Sequence, residues 1–282
     1  MSQIVILTDS TAYLPTTYCE EHQVHVAPLS VIFDGDAYRE GFDISVAEFY
    51  KRIQTGSLPT TSQPNIGDLV ASFEQLPEGT DIIGITLSSG ISGTYQALHT
   101  INMMVDHVNV HPVDSRISCM PQAFLVQEAV RLRDAGATAE TIVNRLETLK
   151  EQIRAYFVVD DLEHLQRGGR LSVAQAFVGS FLKIKPVLHF VDGKIVPFEK
   201  IRTFKRAVNR IEEMMKEDIH GDGAGYVIGV IHAEDSAKAE AEIAELQALF
   251  PQARIEMSVF GPVIGTHLGP GAIGITWYHA AE

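Results

Sequence analysis

Short apolar runs of strand length alternate with amphipathic stretches along the first half of the chain. The clearest run, Asp81–Thr86, is rich in β-branched residues and predicts a buried strand. The apolar positions after it recur on one face of a helix: Ala97, Leu98, Ile101, Met104 and Val105. Comparable pairs of strand and helix extend from Gln3 to Lys150. This alternation predicts an α/β domain with a parallel, doubly wound sheet.

The pattern changes in the second half of the chain. Asp192-Gly193 lies between two extended runs and predicts a hairpin with a type I′ turn. Residues 172–182 have almost no polar face, which predicts a buried helix that either belongs to the core or lines a cavity. We therefore predict a Rossmann-like domain over residues 1–152 and a C-terminal α/β domain with a mixed, α+β-like sheet over residues 153–282.

Polar residues follow three of the predicted parallel strands, at positions 8–11, 87–94 and 114–115. Open α/β sheets bind ligands at these strand ends, and helix N-termini favour anions. In the central stretch, Gly90 and Gly93 allow close approach of the backbone, and Ser92 and Thr94 add hydroxyl groups. A plain helix cap by Ser92 is the alternative, and both interpretations stay open on these residues alone.

The central stretch matches neither of two well-known motifs. Gly90-Ile91-Ser92-Gly93 is one residue short of a nucleophile elbow, and no Gly-Lys-Ser/Thr triplet occurs. A carboxylate or phosphate cradle therefore fits better than a covalent catalyst. The loop 59–64, bracketed by prolines and rich in hydroxyls, is a solvated turn or a segment that meets Ser92. The glycine-rich stretch 261–271 predicts a close-packed loop with His267 at its tip, in a structural or a functional role.

Composition narrows the class of partner. Of the 282 residues, 45% are hydrophobic and 21% are charged, as in ordinary soluble proteins. The net charge of −14 argues against nucleic acids and anionic membrane surfaces as main partners. Cys19 and Cys119 show no metal or redox spacing, and no apolar run approaches a membrane span. We therefore expect a cytoplasmic protein without a metal, a cofactor or stable membrane insertion.

Five motifs, in order over nearly the whole chain, resemble those of the DegV family: residues 8–12, 59–64, 88–96, 165–170 and 261–271. Arg167 stands where that family usually has lysine. The resemblance implies a fatty-acid-binding protein with a Rossmann-like domain, a C-terminal α/β domain and the ligand between them. It also implies the role of the acyl-carrying subunit of a bacterial fatty acid kinase.

The resemblance further implies roles for individual residues. Thr61 and Ser92 would hydrogen-bond the carboxylate of the fatty acid, and His267 would lie close to this head group. The other expected neighbours of the head group are Ser62, Gly93 and Thr94. Arg170 and Arg202 would face the separate ATP-binding kinase subunit, although on sequence alone both are ordinary surface charges.

The expected function is that of a lipid-binding carrier that presents a carboxylate to a separate ATP-dependent kinase and has no catalytic or nucleotide site. Burying about 15 methylenes at roughly 0.8 kcal/mol each gives roughly 12 kcal/mol before ordering costs, so the tail dominates affinity. One alternative is a hydrolase or transferase that uses Ser92 and His267, with Asp9 or Asp114 as third member. Another alternative is a binder of a different anionic small molecule, such as a phosphorylated metabolite.

Overall fold

The structure is a computed structural model that describes three stretches of the chain, residues 3–56, 58–171 and 184–280. The predicted buried helix over 172–182 lies outside the described residues. The chain divides into two compact units. The first contains Met1–Ser45 and Pro59–Glu151, and the second contains Val46–Leu58 and Gln152–Glu282. The predicted domains 1–152 and 153–282 did not include the excursion of Val46–Leu58 into the second unit, and they stay a prediction.

The described strands are β1 (Ile4–Asp9), β2 (Val24–Ala27), β3 (Ser30–Phe33), β4 (Asp36–Arg39), β5 (Thr60–Ser62), β6 (Asp81–Thr86), β7 (Asn109–Asp114), β8 (Arg154–Val158), β9 (Val187–Val191), β10 (Lys194–Glu199), β11 (Tyr226–His232), β12 (Arg254–Val259) and β13 (Ile273–His279). The described α-helices are α1 (Thr16–Glu21), α2 (Val46–Gln54), α3 (Ile66–Phe73), α4 (Thr94–Asn102), α5 (Met120–Asp134), α6 (Ala139–Gln152), α7 (Glu163–Arg167), α8 (Phe204–Asp218), α9 (Ser236–Leu249) and α10 (Pro262–Leu268). None of these helices has the length and apolar character that crossing a bilayer requires.

The main sheet of the first unit is parallel, with the strand order β2-β1-β6-β7. The two central strands, β1 and β6, are almost entirely buried and apolar because both faces of such a sheet are covered. Buried residues of β1 and β6 join a core cluster with α3 and α4, including Val5, Leu7, Ile82, Leu69 and Leu98. The predicted parallel α/β sheet is confirmed.

Strands β2 and β3 belong to two different sheets, because Pro28 between them has no N–H to continue a ladder. One prediction in the first unit was wrong. The stretch 59–64 is not only a loop, since its central residues form β5, the edge of a three-stranded sheet in the order β4-β3-β5. Pro59 and Pro64 flank this short strand and stay outside its ladder.

The second unit contains a six-stranded mixed sheet in the order β10-β9-β8-β13-β11-β12. Among the strand pairs of this sheet within the described residues, β11–β12 is parallel and the others are antiparallel, which confirms the predicted mixed sheet. The hairpin of β9 and β10 is also confirmed: Asp192 and Gly193 have φ angles of 48° and 74°, as a type I′ turn requires. Helices α8 and α9 contribute to the core around Trp277.

The prediction of a loop with His267 at its tip was wrong. Pro262–Leu268 forms α10, and His267 lies in its last turn. Proline suits the first turn of a helix because it lacks the N–H that has no partner there, and Gly269, with a φ of 74°, ends the helix. Gly265 lets α10 approach α2 closely, since a Cβ at this position would overlap the side chains of Phe49 and Tyr50.

Candidate functional site

The turn between β6 and α4 lies between two polar strand ends of the parallel sheet. Asp9 ends β1 on one side of β6, and Asp114 ends β7 on the other. Parallel strands place their carboxyl ends along one edge of the sheet. The three polar stretches predicted from the sequence therefore meet at this edge.

Asp9 holds the start of the turn through hydrogen bonds. Its buried carboxylate accepts hydrogen bonds from the Thr11 amide at 3.0 Å, the Thr11 hydroxyl at 2.6 Å and the Leu87 amide at 2.7 Å. Asp9 is thereby the N-cap of a short 3-10 turn over Ser10–Ala12. Burial raises the pKa of Asp9, and the hydrogen bonds from Thr11 and Leu87 oppose that rise. These contacts make Asp9 a support of the turn.

The two serines at positions 88 and 89 fix the path of the turn. The buried Ser88 carbonyl accepts from the amides of Ile91 and Ser92, and the Ser88 hydroxyl accepts from the amide of Gly90. Ser89 donates its amide and its hydroxyl to the carboxylate of Asp114, at 3.1 and 2.5 Å. The turn is therefore held from both neighbouring strand ends.

Ser92, Gly93 and Thr94 form the last part of the turn and the start of α4. Gly93 is the residue at the N-cap, so Ser92 is not the helix cap that one interpretation predicted. The Ser92 and Thr94 hydroxyl oxygens are 2.9 Å apart, and the Thr94 amide donates to the Ser92 hydroxyl at 3.3 Å. Because amides in the first turn of a helix have no acceptor within it, this corner offers N–H and O–H donors to an anion.

The segment after β5 lies next to this corner. A Cβ at Gly93 would come within 2.5 Å of the side-chain oxygen of Gln63. The structure thus brings the hydroxyl-rich segment and the Ser92 turn together, and Gln63 is a neighbour that the sequence did not single out. Thr61 is half-buried and Ser62 is exposed, and consecutive strand residues point to opposite faces.

His267, in the second unit, packs against the backbone of Gly168. A Cβ at residue 168 would overlap the imidazole ring, so only glycine fits there. Burial, followed by the positive charges of Arg170, Arg167 and His164, lowers the pKa of His267 to about 4. His267 is therefore a neutral imidazole at pH 7, which can donate or accept one hydrogen bond.

Arg170 and Arg202 lie in different settings within the second unit. Arg170 is half-buried and donates to the carbonyl of Gly168, and burial lowers its pKa. Arg202 is exposed in the turn before α8. Arg167 is another cation near His267, and its positive charge contributes to the lowered pKa of that histidine. The Arg167 guanidinium also lies 3.3 Å from the ring of His164.

The groups named for a catalytic triad have other hydrogen bonds in the structure. The Asp9 carboxylate contacts Thr11 and Leu87, and the Asp114 carboxylate contacts Ser89 and the Arg116 amide. The Ser92 hydroxyl contacts Thr94. A serine nucleophile needs a base at hydrogen-bond distance, and these contacts supply none to Ser92.

The family model described as an uncharacterised protein of the DegV family matches residues 3–280. Protein DegV of Bacillus subtilis is 50% identical over 277 residues, which cover 97% of this chain and 98% of that protein. The crystal structure of DegV, a fatty acid binding protein from Bacillus subtilis, superposes with a TM-score of 0.92 at 47% identity, over 99% of this chain and 100% of the other. A fatty acid binding DegV family protein from Streptococcus agalactiae superposes with a TM-score of 0.88 at 33% identity, over the full length of both chains.

Proposed function

The chain belongs to the DegV family, and from this premise we propose that it binds a long-chain fatty acid. The observation that carries the proposal is the full-length similarity to the Bacillus subtilis fatty acid binding protein, at 47% identity and a TM-score of 0.92. The donor-rich turn at the end of β6 supports it, because a carboxylate accepts hydrogen bonds from hydroxyls and amides and such charge-assisted bonds are strong.

In this proposal Thr61 and Ser92 donate hydrogen bonds to the carboxylate. Ser62, Gly93 and Thr94 are its neighbours, and the start of α4 adds amide donors. His267 is a further proposed contact of the head group. Since burial and nearby cations hold the pKa of His267 near 4, it would contribute a neutral N–H.

The finer part of the proposal is that the protein carries the lipid for another enzyme. It would present the carboxylate to a separate ATP-dependent kinase subunit, where the acyl phosphate forms. Arg170 and Arg202 would face that subunit, because guanidinium groups pair well with carboxylates and phosphates. The chain itself would bind and orient the lipid without catalysing the transfer.

Mass spectrometry tests the ligand class. Denaturing extraction of the purified protein and mass spectrometry of the organic phase would identify the lipid, and native mass spectrometry would give its stoichiometry. We expect one fatty acid per chain. A protein that carries a polar phosphorylated metabolite and does not take up added fatty acid would overturn the proposal in favour of another anionic ligand.

Two variants test the head-group assignment. Ser92→Ala and Thr61→Ala are expected to retain the fold and the apolar contacts, but to support acyl-phosphate formation by a bacterial fatty acid kinase subunit at least tenfold more slowly. Thr100→Ala is the matched control, because this hydroxyl lies at the other end of α4 and donates to the Gln96 carbonyl. Full kinase activity with both site variants would refute the assignment.

The same Ser92→Ala protein separates the carrier from the hydrolase alternative. A carrier has no ester-hydrolysing activity for this substitution to remove. Turnover of a fatty acyl ester that depends on Ser92 and on His267 would instead support a Ser/His enzyme. The assay needs only the purified chain and a chromogenic ester.

A further inference from the structure

Three glutamates of the second unit converge at a place that the fatty acid proposal does not use. Glu212 lies on α8, and Glu242 and Glu245 lie on α9. Residues three apart share one face of a helix, so both α9 side chains project toward α8. One carboxylate oxygen from each of the three lies within 4.8 Å of the others.

The cluster contains buried oxygen atoms without a partner. Glu212 is only 8% exposed, and its Oε1 has no hydrogen-bond donor among the described residues. The same holds for Oε1 of Glu242. Burying a carboxylate without a partner is costly, and native proteins rarely leave such atoms unsatisfied. Either a bound cation or a shared proton resolves this arrangement.

A cavity of about 440 Å³ gives access to the cluster. Glu242 and Glu245 line it, together with Asn209, one turn before Glu212 on α8. The charged groups that face the cluster and this cavity are Lys205, Lys216, Lys238 and Asp160. The Lys238 ammonium lies over the ring of Phe204, 3.2 Å from its centroid, and donates to the Gly271 carbonyl, so it is engaged away from the glutamates.

We propose that Glu212, Glu242 and Glu245 bind a divalent cation that prefers oxygen ligands, such as Mg²⁺, Mn²⁺ or Ca²⁺. Oxygen ligands lie about 2.0–2.6 Å from such an ion, so two of them on one ion are about 3 to 5 Å apart. The three carboxylate oxygens all lie within 4.8 Å of one another, close enough for one ion to contact all three. Solvent that enters the cavity would complete the coordination, and Asn209 also lines this cavity. A bound ion joins α8 to α9.

Protons compete with the cation. Burial and then the charges of Glu212 and Glu245 raise the pKa of Glu242 to about 7. Because a metal binds the ionised carboxylates, binding releases the proton held near neutral pH.

A Mn²⁺ titration of the chelator-treated, full-length protein at pH 8 tests the proposal, with electron paramagnetic resonance reporting free Mn²⁺. We expect one saturable site with a Kd of about 1 mM or tighter, within the range of carboxylate sites. Glu242→Gln and Glu245→Gln should each weaken binding at least tenfold. Glu240→Gln is the matched control, because it removes the same charge from an exposed position of α9.

The outcomes are distinguishable. Absence of saturable binding up to ~10 mM Mn²⁺, or equal binding by Glu242→Gln and wild type, would overturn the cation site and leave a shared proton as the explanation of the buried oxygens. Glu245 is exposed, so Glu245→Gln keeps the test valid if Glu242→Gln does not fold. Circular dichroism of every variant checks the fold. A negative result here leaves the fatty acid proposal untouched, since the two sites share no residue.

Discussion

At the scale of single residues, His267 and Gly168 form a matched pair. The imidazole occupies the space where any side chain at 168 would project. Glycine is thus required by a close approach, which the Gly-Gly sequence alone does not show. The pair gives two predictions, one about packing and one about protonation.

The packing prediction concerns Gly168→Ala. The added methyl group must displace His267, which should lower the free energy of unfolding by about 1–3 kcal/mol, the usual cost of overpacking. Urea denaturation measures this change. A double-mutant cycle isolates the cause: in the His267→Ala background the same substitution should cost clearly less, since only the His164 carbonyl then lies close to the added Cβ. An equal cost in both backgrounds would place the strain elsewhere.

The protonation prediction concerns acid stability. The pKa of His267 falls from 6.5 to about 4 on folding, so the unfolded chain binds a proton more readily in between. Protonation of His267 therefore favours the unfolded chain. The neutral imidazole leaves the free energy of unfolding at its full value above pH 6.5, and this part of the stability is lost as the pH falls toward 4. The free energy of unfolding, measured at pH 7 and at pH 5, should fall less in His267→Gln than in wild type. His220→Gln, at an exposed position, is the control and should behave like wild type. Equal losses in all three would contradict it.

At the scale of elements, the buried contacts of Asp9 join the end of β1 to the start of the turn after β6. Asp9→Ala would leave the Leu87 and Thr11 amides without their acceptor, which should destabilise the protein by about 2–4 kcal/mol. Chemical denaturation measures the loss. Asp114→Ala is the comparison. This substitution should lower the stability less, because Asp114 accepts its hydrogen bond from the exposed Ser89. A larger loss for Asp114→Ala would contradict the role assigned to Asp9.

Hydrophobic periodicity predicted most elements because burial of one face fixes both helices and strands. Periodicity failed where contacts with distant parts of the chain determine the secondary structure. Thr60–Ser62 became a strand because β3 offers an unpaired edge, and Pro262–Leu268 became a helix although it contains a glycine. The polar strand ends were predictable from the order of elements. The contact of Gln63 with Gly93 and the glutamate cluster were not, since both depend on residues far apart in the chain.

At the scale of the whole molecule, buried acids and the buried histidine act on stability in opposite directions. Burial raises the pKa values of Glu212 and Glu242, the latter to about 7. The folded protein therefore holds these protons more tightly than the unfolded chain does. The resulting contribution to the free energy of unfolding weakens as the pH rises from about 4.5 to 7. The midpoint temperature of thermal unfolding, measured from pH 5 to pH 8, should decline less toward pH 8 in Glu242→Gln than in wild type. An unchanged profile would contradict this, and the Glu240→Gln protein is again the control.

The excursion of Val46–Leu58 into the second unit has a consequence for synthesis. Phe49 and Tyr50 are fully buried, and the Tyr50 hydroxyl donates to the carbonyl of Phe260, 210 residues later. A ribosome that adds ~10 residues per second makes α2 roughly 20 s before that partner exists. During this interval two aromatic side chains stay exposed on a nascent chain. Shielding by a chaperone, or faster translation of residues 51–260, would therefore raise the yield of folded protein.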